Sequence, residues 1–228
     1  MARSLLAVGV VAVLAAAAEA HFVFVVPDAQ SPNKLTVVFS EDLEVDENVP
    51  ADRLKGLTLT GRFAGGKTAP VDLKPGKSCL TGELGLVEPQ AAFGTLAFGV
   101  MEPKKKGDTK PYLLAYHPKA VLAGCDPALA VVGKVAPVEL IPVAAGGEVK
   151  FKLVAGDAPV ADAEVTVLTP DGGKKKAKTD AAGLTPGYPA KGRYGAWAKH
   201  VVATPGEHGG KKYSEARHYA TLVADLAN

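Results

Sequence analysis

Long apolar runs are almost absent from this 228-residue sequence, and that absence bounds what the chain can be. Beyond the first 20 residues nothing approaches the roughly 20 consecutive apolar residues that an uninterrupted membrane span needs. Charge of one sign is lacking too. With 26 Lys and Arg against 24 Asp and Glu, the net charge of +2 is too near neutral for a nucleic-acid binder. The runs Lys104-Lys105-Lys106 and Lys174-Lys175-Lys176 each adjoin a glycine-containing turn and read as solvated hairpin tips. Cysteine is scarce: Cys79 and Cys125 lack the close spacing of a zinc knuckle, while a disulfide between them is open to an exported chain. Catalytic signatures are missing as well. There is no serine in a glycine-flanked elbow, no paired-histidine helix motif and no phosphate-cradling glycine loop, and neither cysteine has an adjacent histidine to make a thiolate. A hydrolase is disfavoured, and the sequence predicts a protein that is not an enzyme.

What is present begins with an address. Arg3, the apolar stretch Leu5–Ala18 and the triplet Ala18-Glu19-Ala20 form the charged, apolar and small-residue regions of a secretory signal. Residues 1–20 are expected to be cleaved, leaving a mature chain that starts at His21. No cysteine follows closely enough to be lipidated, so the mature protein is expected to be soluble, periplasmic or secreted, with no direct membrane insertion. Arg3 and Glu19 leave together, so the net charge is unchanged.

No long segment has helical periodicity, and many glycines and prolines separate short runs of Val, Leu, Phe and Thr. The spacing predicts strands over 21–26, 35–40, 57–62, 70–73, 92–100 and 112–116. The acidic stretch "EDLEVDENVPADRL", residues 41–54, lacks the ligand order and central glycine of a calcium loop and reads as a solvated connection with some helical character. From about Pro137 the alternation becomes clean: Val149, Phe151 and Leu153 face one way, as do Val165 and Val167. The expected fold class is all-β, with two β-sandwich domains over 21–135 and 136–228.

Five histidines remain: His21, His117, His200, His208 and His218. If the last hairpin turns near Gly209, residues whose numbers sum to 418 stand opposite one another, and His200 faces His218. Directly opposed side chains on an antiparallel pair have Cβ atoms roughly 4.5–5.5 Å apart, from which two imidazoles can converge on one ion. A slip of one residue would turn them to opposite faces. A free amino-terminal His21 adds an amine-plus-imidazole chelate suited to the tetragonal preference of divalent copper or nickel. His208, near the hairpin tip beside Glu207, reads as an exposed turn residue, and His117, before Pro118, reads as structural. Asp28 and Glu215 are candidate oxygen ligands or partners that orient an imidazole.

The segments "AHFVFVVPD", "VVFSEDL", "KPYLLAYHPKAV", "PVADAEVTVLTPDG", "TDAAGLTP", "GRYGAWAKH" and "KKYSEARHYATLV" together resemble a family of exported bacterial proteins labelled periplasmic components of cobalt or nickel uptake systems, in its planctomycete form. The resemblance covers nearly the whole mature chain, and it implies that His21, His200 and His218 belong to recurrent motifs. The second half resembles transthyretin-like or carboxypeptidase-regulatory immunoglobulin-like domains. The opening is similar to copper-resistance C-type proteins, which use an amino-terminal histidine for cupric ion. Family members often have aspartate after the first histidine, and here Phe22 takes that place.

The expectation is therefore a periplasmic or secreted protein that binds a divalent transition metal (nickel, cobalt or copper) through His21, His200 and His218, for delivery to a membrane importer or for buffering. Its alternative is an immunoglobulin-like adhesion or partner-binding module without metal. A copper mono-oxygenase is a third reading, for which the single Trp197 offers little of the flat aromatic face that polysaccharide requires.

Overall fold

A computed structural model describes residues 21–85, 88–103 and 110–226. The expected leader over 1–20 and the run Lys104-Lys105-Lys106 lie outside them. The chain is all-β. In its first half the strands are β1 (Phe22–Pro27), β2 (Lys34–Ser40), β3 (Thr58–Phe63), β4 (Thr68–Pro70), β5 (Lys74–Pro75), β6 (Leu80–Glu83), β7 (Pro89–Met101) and β8 (Tyr112–Val121). In its second half they are β9 (Val138–Ala145), β10 (Glu148–Ala155), β11 (Ala158–Pro159), β12 (Glu164–Leu168), β13 (Lys174–Lys178), β14 (Tyr188–Pro189), β15 (Gly192–Val202), β16 (Gly206–His208), β17 (Lys211–Tyr213) and β18 (Glu215–Leu226).

An eight-stranded sheet in the order β13-β12-β15-β18-β8-β7-β3-β4 runs through the middle of the molecule. The four strands β1-β2-β6-β5 cover one of its faces, and β9, β10, β11 and β14 cover the other. Alternation along the central strands explains why two cores result. On β18, Val223 joins Phe24, Leu35 and Val37 in the first core, whereas Ala220, Leu222 and Ala224 join Val149, Phe151 and Leu153 in the second. The alternation read at Val149, Phe151, Leu153, Val165 and Val167 is present, and all five are fully buried. The molecule thus has two sandwich cores that share one sheet. What unites them is the parallel pairing of β8 with β18, ten residues long, from Glu215 opposite Tyr112 to Ala224 opposite Val121.

Most strands fall close to where the sequence puts them, and the departures have physical reasons. β8 continues through His117 and Pro118 to Val121, because Pro118 withholds only its own N–H and its neighbours still pair with β7 and β18. No strand spans 70–73; β4 ends at Pro70 and β5 begins at Lys74. Lys174-Lys175-Lys176 is not a hairpin tip but part of β13, the outermost strand of the central sheet, where exposed lysines discourage pairing with another chain. Residues 41–54 form turns that end in a single 3-10 turn, Ala51–Leu54. Cys79 and Cys125 are free thiols, both half-buried, so the disulfide left open by the sequence is not formed.

Candidate functional site

His21 immediately precedes β1, and its side chain is held by the acidic connection that follows β2. Its Nε2 donates to Asp46 Oδ2 at 2.8 Å, both side chains being about a quarter exposed. Asp46 is itself fixed by its own turn, where Oδ1 accepts from the Asn48 backbone N–H at 2.9 Å and from Asn48 Nδ2 at 3.2 Å. The hydrogen bond from His21, followed by the bond from the Asn48 backbone, holds the Asp46 carboxyl below its ordinary pKa. The imidazole lies against Phe39, with ring centres 5.6 Å apart, and the Tyr116 hydroxyl donates to the His21 carbonyl at 3.4 Å.

This arrangement selects a tautomer. With its Nε2 proton aimed at an ionised carboxylate, a neutral His21 ring carries its lone pair on Nδ1. Covalent geometry makes Nδ1 the ring atom that can close a chelate with the α-amine of the same residue. A carboxylate on the opposite ring nitrogen is the usual companion of a metal-binding histidine.

The expected register of the last hairpin is present: His200 stands opposite His218, and the pairing from Gly192–Leu226 to Val202–Ala216 keeps the sum of 418. His218 has a further partner that the sequence reading did not supply. Its Nδ1 lies 2.9 Å from His117 Nε2, while His117 Nδ1 lies 3.3 Å from Thr95 Oγ1. His117 is buried, and burial, aided by the neighbouring His218, pushes its pKa down to about 4. Burial, with His200 close by, also lowers that of His218.

His21 does not join these imidazoles. Along β8, Tyr116 points to the first core and reaches the His21 carbonyl, whereas His117 points to the opposite face and meets His218. The central sheet therefore stands between His21 and the pair His200 and His218, and one ion cannot be shared by all three. Among the described residues no group of three or more His, Cys, Asp and Glu side chains is placed to hold a metal. His208 is exposed at the hairpin tip, opposite Lys211. Asp28 is engaged by the backbone N–H groups of Gln30 and Ser31, and Glu215 accepts from Arg217 Nε at 2.7 Å, so neither orients an imidazole. That role falls to Asp46, 25 residues from its partner in a stretch rich in carboxylates, where no local spacing distinguishes it.

Beneath His117 lies a small cavity of about 80 Å³, lined in part by Thr58, Thr60, Thr95, Lys119 and Glu139. Its floor is a buried ion pair. Lys119 Nζ donates to Glu139 Oε1 at 2.6 Å and to the Ala130 carbonyl at 2.8 Å, while the Val132 and Gly133 N–H groups donate to the same carboxylate. Burial depresses the lysine pKa and Glu139 opposes that shift. With its charges matched and hydrogen-bonded, the pair ties β8 to β9 and to the connection between them.

No protein-family model matches the chain, and no curated protein matches it at a significant level.

Proposed function

We propose that the protein is an exported binder of a divalent transition metal, nickel, cobalt or copper, serving uptake or buffering, with the metal held at a free amino-terminal His21. The α-amine and Nδ1 would form the clamp, and Asp46 would hold the ring in the required tautomer. The observation that carries this reading is the 2.8 Å bond from His21 Nε2 to Asp46. His200 and His218 fall outside this centre. The proposal shares its metal class and its exported setting with the uptake family that the sequence resembles.

Calorimetric titration of protein beginning at His21 with each of the three ions tests it, alongside a variant carrying one extra residue ahead of His21 and a His200→Ala/His218→Ala double variant. The extension should abolish tight binding, and the double variant should keep the parent affinity within about twofold. Equal affinity with and without the extension would remove the clamp. A lower pH should weaken binding, because ligation requires neutral nitrogens.

The rival reading, a partner-binding module without metal, draws on the hydrogen bonding of His117 and His218 to one another and of His117 to Thr95. The same titration separates the two, since this reading expects no heat with any ion.

A further inference from the structure

His200 and His218, parted from His21 by the central sheet, oppose one another on its other face. Along that rung His200 on β15 stands beside His218 on β18, and Ala115 on β8 and Ala97 on β7 follow. The flank of the histidine pair on β8 and β7 therefore carries only methyl groups. Ala198 and Ala220, the next residues of the same face, belong to the second core. The histidines lie just past the margin of that core, and both are half-exposed. Directly opposed residues of an antiparallel pair have Cβ atoms roughly 4.5–5.5 Å apart, a span across which two imidazoles can share one ion. A histidine that served only packing would have its ring nitrogens bonded to protein. Among the described residues no hydrogen bond engages the His200 ring.

The His218 ring is held from one side only. Its Nδ1 meets His117 Nε2 at 2.9 Å, which leaves Nε2 as the nitrogen for a ligand. In a neutral His117 ring one nitrogen donates and the other accepts. With the His117 proton on Nδ1, facing Thr95 Oγ1 at 3.3 Å, His117 Nε2 accepts from His218 Nδ1 and the lone pair of His218 falls on Nε2. The opposite placement puts a proton on His218 Nε2. Because the threonine hydroxyl can donate or accept, both forms keep both hydrogen bonds, and the ligating form is reached at no loss of bonding. His117 is buried, so the group that orients His218 is itself fixed. A protein acceptor on the nitrogen opposite the ligating one sets ring orientation and raises ligand basicity.

We infer that His200 and His218 form a second, two-imidazole site for a divalent ion of the zinc type, with His117 as the positioning residue that keeps His218 in its ligating tautomer. Imidazole is a preferred ligand of such borderline ions, and water completes the coordination. Calcium and magnesium take oxygen ligands, which these two rings do not supply. The site lies across the sheet from His21, and the inference stands whether or not the amino-terminal clamp forms.

The test uses the protein with one extra residue ahead of His21, in which the clamp is blocked, titrated calorimetrically with zinc chloride at about pH 7.5, where the ligating nitrogens are neutral. One ion should bind per chain with a Kd of about 1–100 µM. His200→Ala and His218→Ala should each weaken binding at least about tenfold with an unchanged circular dichroism spectrum, whereas His208→Ala, an exposed histidine at the hairpin tip, should change it less than about twofold. Imidazole nitrogen NMR of the loaded protein should place zinc on His218 Nε2 and protons on Nδ1 of both His218 and His117. No zinc binding below about millimolar concentration would overturn the inference. So would full affinity in either the His200 or the His218 variant, an equal loss in the His208 variant, or zinc on His218 Nδ1. Failure of the amino-terminal titration with success here, or the reverse, separates the two proposals.

Discussion

At the scale of single residues, the two histidine environments make opposite demands. On the proposed metal reading His21 needs its ring oriented, and Asp46 is the side chain that holds it, at 2.8 Å. Asp46→Ala frees the ring and removes the tautomeric bias, so metal affinity should fall about 10- to 100-fold with the fold intact, as seen by calorimetry beside an unchanged circular dichroism spectrum. His117 instead needs to stay neutral. Its pKa of about 4 lies below the ordinary 6.5 that it has when unfolded, so between these values the unfolded chain binds a proton that the folded one does not. The stabilisation is complete above about pH 6.5, is lost progressively as pH falls to about 4, and changes no further below that. The loss is of order 3 kcal/mol. In urea unfolding at pH 7 and at about pH 5, a His117→Asn variant should show a smaller drop in stability than the parent; an equal drop would mean that His117 is not the group responsible.

These two residues also mark how far the sequence could be read. Pro118 drew attention to His117, but the contact of His117 with His218 could not be read, because the partners lie 101 residues apart and parallel pairing of β8 with β18 leaves no local pattern. Asp46 was hidden for a related reason, being one carboxylate among several in a connection.

At the scale of elements, the last hairpin was the most legible part of the chain. Its turn is short, and β15 and β18 extend far enough that one register satisfies the alternation on both. The tip is closed by Gly209 and Gly210, both at positive φ, +57° and +75°, between His208 and Lys211. Nothing lies within 4 Å of a methyl group built on Gly209, so Gly209→Ala meets only backbone strain and should cost about 1–2 kcal/mol. Gly94 on β7 is the contrasting case. A methyl group there would run into the Thr58 carbonyl on the neighbouring strand β3, where the backbone cannot yield without disturbing the pairing. Gly94→Ala should therefore cost clearly more than Gly209→Ala in parallel urea unfolding, and a reversed order would contradict the close approach of β3 and β7. The proline-rich segment around β4 and β5 was the least legible element. Strands of two or three residues carry too few side chains to show an alternation.

At the scale of the whole molecule, all-β character and two sandwich cores were readable from composition and alternation, but the continuity between them was not. A sequence shows which strands have an apolar face; it does not show that β8 borrows its neighbour from the end of the chain. Residues 21–135 expressed alone would leave β8 with one side unpaired over ten residues, a long edge rich in Val, Leu and Ala. That fragment should aggregate or remain unfolded, and mixing it with residues 136–228 should restore solubility. A monomeric, cooperatively unfolding fragment would show that the first half closes by itself.

The place of β18, between β15 and β8, bears on the order in which the protein matures. The central layer lacks its keystone until Glu215–Leu226 has been synthesised, so a nascent chain short of that strand holds two unjoined flaps. Such a nascent chain cannot complete its central layer, and the two flaps close only when β18 takes its place between β15 and β8.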